Sequence, residues 1–303
     1  RESVTLFTDR DLYLAGEYIW FSFFTSLNGK HDAEVPDKVL YVELLDKTKR
    51  PVQKGKYIIH GKTGHGSMQI PPETLSEIYF LRAYTQFMRN QAPEDFSLTP
   101  LTVINPEFTL PPYENASHTP VSQTKMSSNL VIRANKSIFD PREKVELSLT
   151  FNDEDWANCC ISVVRYGTSR HPLPLQPTAK EYGSQNGDSL FWIPDIRDIS
   201  FSGFIKEQHS GFPAAAKEVY LSVMGENPIL HITETNPNGS FIFSLDELMQ
   251  TQEVYIGIRN GTSSNLTILI NNDFYNRPHQ LPGMGFPVDS TYRNILTEMY
   301  LNR

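Results

Sequence analysis

The sequence predicts an all-β protein: tandem immunoglobulin-like β-sandwiches followed by a short C-terminal helix. Three observations carry that expectation. Aromatic residues make up 12% of the 303 residues and prolines number 21, which suits short strands and tight turns better than long helices. Period-two alternation recurs along the chain, as in "KVLYVELLD", where Val39, Tyr41, Glu43 and Leu45 alternate with Leu40, Val42 and Leu44. These runs are separated by Gly, Pro, Asn and Asp clusters at the spacing of sandwich strands. A chain of this length holds about two or three domains with real cores.

Residues 1–108 read as one sandwich. "SVTLFT" is a strand, and "DRDLYLAGE" is a turn-rich corner. In "YIWFSFFTSL" both faces are largely apolar, which predicts a central strand. "KVLYVELLD" follows. "EIYFLRAYTQ" and "LTPLTVINP" close the set. The stretch "GKYIIHGKTGHGS", Gly55 to Ser67, invites comparison with a phosphate-binding loop. That loop needs four residues between its first Gly and the Gly-Lys-Thr, and a helix directly after it. Here five intervene, Lys56 to His60, and "GHGSMQIPP" cannot open a helix. Ser67 also lacks the Gly-x-Ser-x-Gly frame of a nucleophile elbow. The expectation is a β-hairpin, "KYIIH" to "SMQI".

Residues 109–128, rich in Pro, Ser and Thr without an apolar period, read as a linker. A second module covers 129–189. Its opening, "NLVIRANKSIFDPREKVELSLTF", repeats the logic of the first block as a faint internal repeat. "CCISVVRYG" adds a strand, and a loose stretch from Thr168 to Ser189 follows. The third block, 190–276, contains strand-loop-strand, then "ILHITETNPNGSFIFSL", read as a hairpin over a turn at Asn236 to Gly239, then two further strands. In the tail, 277–303, Asp289 or Ser290 caps a helix whose face carries Ile295, Leu296, Met299 and Tyr300.

Charge and motifs narrow the function classes. The net charge of -8 argues against nucleic acid and offers no basic patch to anionic lipid. No apolar run is long enough to span a membrane as a helix. Adjacent Cys159 and Cys160 cannot close an ordinary disulfide loop, and strand alternation puts one thiol inside and one outside. Asp153, Glu154 and Asp155 lack the alternating spacing of a calcium loop and read as a solvated loop. His60 and His65 make only two metal ligands and read as exposed loop residues. Asp9, Arg10 and Asp11 read as a corner bonded to its own backbone. Five Asn-x-Ser/Thr matches begin at Asn115, Asn135, Asn238, Asn260 and Asn265, and imply glycans only in a secreted eukaryotic chain. Trp156, Trp192, Tyr166 and Phe212 near loops would form a glycan platform if exposed together, and core or rim otherwise. No catalytic residue, metal ligand or cofactor site is expected. Both ends of the chain read as cut, since it opens without Met and stops inside a helical pattern.

A family resemblance rests on specific residues. "FTDRDLYLAGEYIWF" resembles the start of the second macroglobulin-type domain of the α2-macroglobulin superfamily, where a TDKPxYxPGExVxF-like run is common. "KVLYVELLD", "HGKTGHGSMQIP" and "IYFLRAYTQFMRN" extend the likeness over about residues 3–106. It looks most similar to macroglobulin-like domains of Bacteroidetes surface and periplasmic proteins, some of which carry a TonB-receptor plug-like region. "NLVIRANKSIFDPREKVELSL" resembles the next such module. The third block resembles a carboxypeptidase-regulatory-like, transthyretin-like sandwich. The superfamily's Gly-Cys-Gly-Glu-Gln thioester run is absent from this sequence. The resemblance implies a non-enzymatic extracytoplasmic scaffold, in the periplasm or on the outer surface, that binds a protein partner such as an outer-membrane transporter. The alternatives are a carbohydrate-binding or adhesion module, and an accessory region of a larger enzyme or inhibitor.

Overall fold

The computed structural model describes residues 1–27, 34–113, 130–151, 160–169, 191–224, 228–245, 254–259, 265–277 and 280–302. The fold is all-β with one short C-terminal α-helix. The chain forms two compact units, Arg1–Ala116 with Ser162–Arg303, and Ser117–Ile161.

The first sandwich is built from β1 (Glu2–Thr8), β2 (Leu12–Leu14), β3 (Tyr18–Leu27), β4 (Val39–Leu45), β5 (Pro51–Ile58), β6 (Thr63–Gln69), β7 (Glu77–Thr85) and β8 (Ser97–Ile104). A small sheet has the order β1-β3-β6, and a large one β2-β8-β7-β4-β5. Alternation sends Leu6, Ile19, Phe21 and Phe23 of the small sheet inward, against Leu40, Val42, Leu44, Leu81 and Val103 of the large sheet. The expected corner at Leu12–Leu14 is itself a strand, paired parallel to β8.

The expected hairpin at Gly55–Ser67 is corrected. β5 pairs with β4 in the large sheet, while β6 pairs with β3 in the small one. A single bridge, His60 to Thr63, links them at the turn, where Gly61 adopts φ +64°. The connection is an arch between sheets. The glycines lie within the strand, because core rings occupy the space over them. A Cβ on Gly64 would stand 2.1 Å from the ring of Phe23.

The third block repeats the design with β11 (Ile199–Glu207), β12 (Glu218–Val223), β13 (Ile229–Glu234), β14 (Ser240–Leu245), β15 (Val254–Ile258) and β16 (Leu266–Ile270). Its sheets have the orders β14-β11-β16 and β13-β12-β15 around Ile205, Val219, Leu221, Val223, Phe241 and Phe243. The expected hairpin at 229–245 is likewise an arch, since β13 and β14 belong to different sheets. Its turn lies as read from sequence. The Asn236 side chain accepts from the amides of Asn238 and Ser240, and Gly239 takes φ +73°.

The outer face of the large sheet of the first sandwich is covered from both sides of its width. Leu12, Leu14, Leu45, Ile78 and Phe80 pack against the tail through Phe286, Val288, Tyr292 and Met299. Asp289 caps the turn leading into α1 (Arg293–Leu301), accepting from Thr291 N at 2.8 Å. Of the expected helix face, Met299 is buried, Ile295 and Leu296 are partly buried, and Tyr300 is exposed. The more polar half of the face meets the base of the second sandwich. Lys56 Nζ donates to Ser200 O and to Asp273 Oδ2, both at 2.6 Å. Tyr84 Oη accepts from Tyr275 N at 2.7 Å.

The other unit shows β9 (Leu130–Ala134) paired antiparallel with β10 (Leu147–Phe151). The strand expected over "CCISVVRYG" is corrected for its described part. Among the described residues, 160–165 join no ladder, and Val163 and Tyr166, which belong to the larger unit, are exposed.

Candidate binding surfaces

Residues opposite one another in an antiparallel ladder share a face. The register therefore places Ser3, Thr5 and Phe7 of β1 on the outer face of the small sheet. It adds Tyr18, Trp20, Ser22 and Phe24 of β3, and Thr63, His65, Ser67 and Gln69 of β6. β3 is the central strand expected at 18–27, and one of its faces is open to solvent, with Trp20 59% exposed and Tyr18 42%. Their ring centroids lie 6.4 Å apart with planes at 37°, and Phe7 meets Phe24 edge to face at 6.0 Å. None of these outward positions is Asp, Glu, Lys or Arg, in a chain that is 20% charged.

The Asp9 corner sets the backbone of this face. Asp9 Oδ1 accepts from Trp20 N at 3.1 Å and from Tyr13 Oη at 2.7 Å, and Asp9 N donates to Trp20 O at 2.9 Å. Burial, then the nearby Asp9 charge, push the Tyr13 phenol well above its ordinary range. Arg10 pairs with Asp9 and Glu17 and lies over the Tyr13 ring at 4.7 Å. Asp11 O accepts from Thr102 N, tying the corner to β8.

A second apolar face lies on the sheet β13-β12-β15. Tyr220 and Ser222 of β12 point outward with Leu230 and Ile232 of β13 and Tyr255 of β15. Leu230 is 61% exposed, Ile232 46% and Tyr255 56%. Gly257 leaves room for the Tyr220 ring, since a Cβ there would stand 2.3 Å from the phenol oxygen. Among the described residues β13 and β15 are the outer strands of this sheet, so each has one side whose backbone N–H and C=O groups this sheet does not use.

The most perturbed titratable groups are inside. Glu2 and Asp37 are fully buried. Glu2 Oε2 accepts from Thr85 Oγ1 at 2.5 Å, and Asp37 accepts from Phe87 N at 3.1 Å and Asp195 N at 2.7 Å. Tyr41 Oη donates to Asp195 at 3.1 Å. Burial is the main cause that raises Glu2 to about 7, and it also raises Asp37 and Asp195. On the outer face of the large sheet, Glu43 accepts from Arg82 and Tyr84. Full burial keeps Glu2 and Asp37 from any substrate, so their role is to join segments.

The remaining residues singled out from sequence fall elsewhere. His65 is outward on β6 and His60 sits at the arch, both exposed. Among the described residues no group of three or more His, Cys, Asp or Glu is placed to hold a metal ion. Trp192 stacks on the Arg89 guanidinium at 3.5 Å, while Tyr166 and Phe212 are exposed on two separate loops. Cys160 is exposed. Asn135, Asn238 and Asn265 are exposed. Asp153, Glu154, Asp155, Trp156, Cys159, Asn115 and Asn260 lie outside the described residues. Among those described, no helix is long and apolar enough to cross a membrane.

No protein family and no curated protein matches the sequence. Solved structures similar to the chain include trypsin-activated α2-macroglobulin from Escherichia coli, at 10% identity and TM-score 0.28, covering 89% of this chain and 15% of that one. Methylamine-reacted α2-macroglobulin from Salmonella follows at 9% and 0.28, covering 89% and 23%. A tetra-tandem repeat from the extending region of a large adhesion protein matches at 9% and 0.24, covering 89% and 72%. The chain thus spans under a quarter of the two macroglobulins. TM-scores of this size carry no argument, and the sandwich architecture rests on the strand registers above.

Proposed function

We propose that this chain is a non-enzymatic, extracytoplasmic scaffold that binds a protein partner. The observation that carries the reading is the outward face of β13-β12-β15. There Leu230, Ile232 and Tyr255 form an exposed apolar strip on a sheet whose outer strands, among the described residues, are β13 and β15. An apolar face with an unpaired edge recruits a partner by strand addition, with backbone hydrogen bonds for affinity and side-chain contacts for selection. The macroglobulin-type run at Phe7–Phe21 supports a place in the cell envelope of a Bacteroidetes-like bacterium, with an outer-membrane transporter or its neighbours as the partner. The modular boundaries near residues 108, 128, 189 and 276 belong to the same proposal.

The test is affinity capture from a solubilised envelope with the wild-type chain and with Leu230→Asp/Ile232→Asp. Both positions are exposed, so the variant keeps the fold, as circular dichroism would verify. The expected result is one enriched envelope protein, retained in moderate salt and lost with the double variant. Equal capture by both chains would remove this face from the account.

A further inference from the structure

We propose that the outer face of β1-β3-β6 binds a neutral carbohydrate chain, at a site separate from the β13-β12-β15 surface. Its chemistry divides into two parts. Trp20 and Tyr18 offer neighbouring rings to solvent, 6.4 Å apart. The adjoining positions offer hydroxyls and an amide: Ser22 beside them on β3, and Ser67 and Gln69 directly across on β6.

A sugar ring has the matching division. Its axial C–H groups form an apolar face that packs on the electron-rich face of an aromatic ring. Its equatorial hydroxyls form a polar rim needing donors and acceptors at the side, which Ser, Thr and Gln supply. Neighbouring rings on one strand suit consecutive sugars of a chain better than one small molecule.

Charge selects the class of sugar. The chain is 20% charged, yet the outward positions of these three strands include no Asp, Glu, Lys or Arg. Among the described outward strand positions, an anionic polysaccharide would find no Lys or Arg. A neutral, hydroxyl-rich polymer loses nothing to the missing charge and gains from the absence of strongly hydrated groups.

The backbone under the rings is fixed before any ligand arrives. Asp9 bonds both the amide and, through its own N–H, the carbonyl of Trp20. β3 is held on both flanks by β1 and β6. A ligand therefore meets strand positions already ordered, and ordering costs are small.

The experiment is affinity electrophoresis of the whole chain in native gels. The gels contain one of four neutral polymers (β-glucan, α-glucan, xylan or galactomannan), or polygalacturonate as the anionic comparison. The proposal expects retardation by at least one neutral polymer, none by polygalacturonate, and binding about tenfold weaker in Trp20→Ala. Leu230→Asp/Ile232→Asp should bind sugar as wild type does, which separates this site from the protein-binding surface. Trp20→Phe should keep part of the binding, since it restores a ring without the indole. Sedimentation of wild type and Trp20→Ala covers the other occupants of an exposed aromatic face. Self-association that Trp20→Ala abolishes would assign the face to a second copy and overturn the proposal. So would no retardation by any neutral polymer, retardation that Trp20→Ala leaves unchanged, or preference for polygalacturonate.

Discussion

Glu2 shows how one residue ties the N-terminal strand to distant segments. Its carboxyl is buried beside Asp37 and bonded to Thr85, while Asp37 holds the amide of Asp195. The groups facing this cluster are Asp37, Asp195 and Tyr41, with Lys56 acting on Asp195. Burial raises Glu2 from 4.5 to about 7, so the folded chain binds that proton more tightly than the unfolded chain does. The stabilisation is complete below the unfolded value and is lost as pH rises through about 7. Denaturant melts at about pH 5 and pH 8 should therefore show lower stability at the higher pH, and Glu2→Gln should flatten that difference. An unchanged slope in Glu2→Gln would assign the pH dependence to other groups. Nothing in the sequence marks Glu2, because its meaning depends on Asp37 and Asp195, which only the fold brings near.

At the scale of elements, alternation and turn residues identified most strands, and the cap of the turn leading into α1 was legible at Asp289. Strand partners were not legible. A short turn between two alternating runs fits a hairpin and an arch equally well, since both runs bury one face. The two sites at 55–69 and 229–245 were both arches for this reason. β6 also shows why a Gly-rich run is compatible with a strand. Gly64 faces the ring of fully buried Phe23, which has nowhere to retreat. Gly64→Val is expected to cost about 1–3 kcal/mol by overpacking, read as a shift in the denaturant midpoint at constant slope. A neutral result would mean that the two sheets separate easily there. The outward face of β3 was half legible. Tyr18 and Trp20 stood in alternation, and apolar residues on both sides marked a central strand without marking which face stays open. The decisive signal is the polarity of the flanking strands, Ser3 and Thr5 on one side and Thr63 to Gln69 on the other. That signal is usable only once β1 and β6 are known to be the neighbours.

At the scale of the whole molecule, the first and third blocks meet through named polar contacts. Lys56 bridges Ser200 and Asp273, Arg89 donates to Asp273 O at 2.9 Å, and Tyr84 holds Tyr275. Lys56 is nearly buried, so its loss would leave the Asp273 carboxylate and the Ser200 carbonyl short of a donor. Removing such a donor costs about 1–3 kcal/mol. Calorimetry should show the two sandwiches melting together in the wild type, and separating or broadening in Lys56→Ala. Two resolved transitions already in the wild type would mean that this junction does not couple them. A fixed junction matters to a scaffold because it presents its surfaces in a constant arrangement. The central claim is that β13 and its face contact a protein partner. Its most direct test is photo-crosslinking in intact envelopes, with a photoreactive residue at Leu230 and, as the comparison, at Lys47 on the β4–β5 turn. The account predicts one discrete protein adduct from position 230 and none from 47. Adducts of equal pattern from both positions, or none from 230, would contradict it.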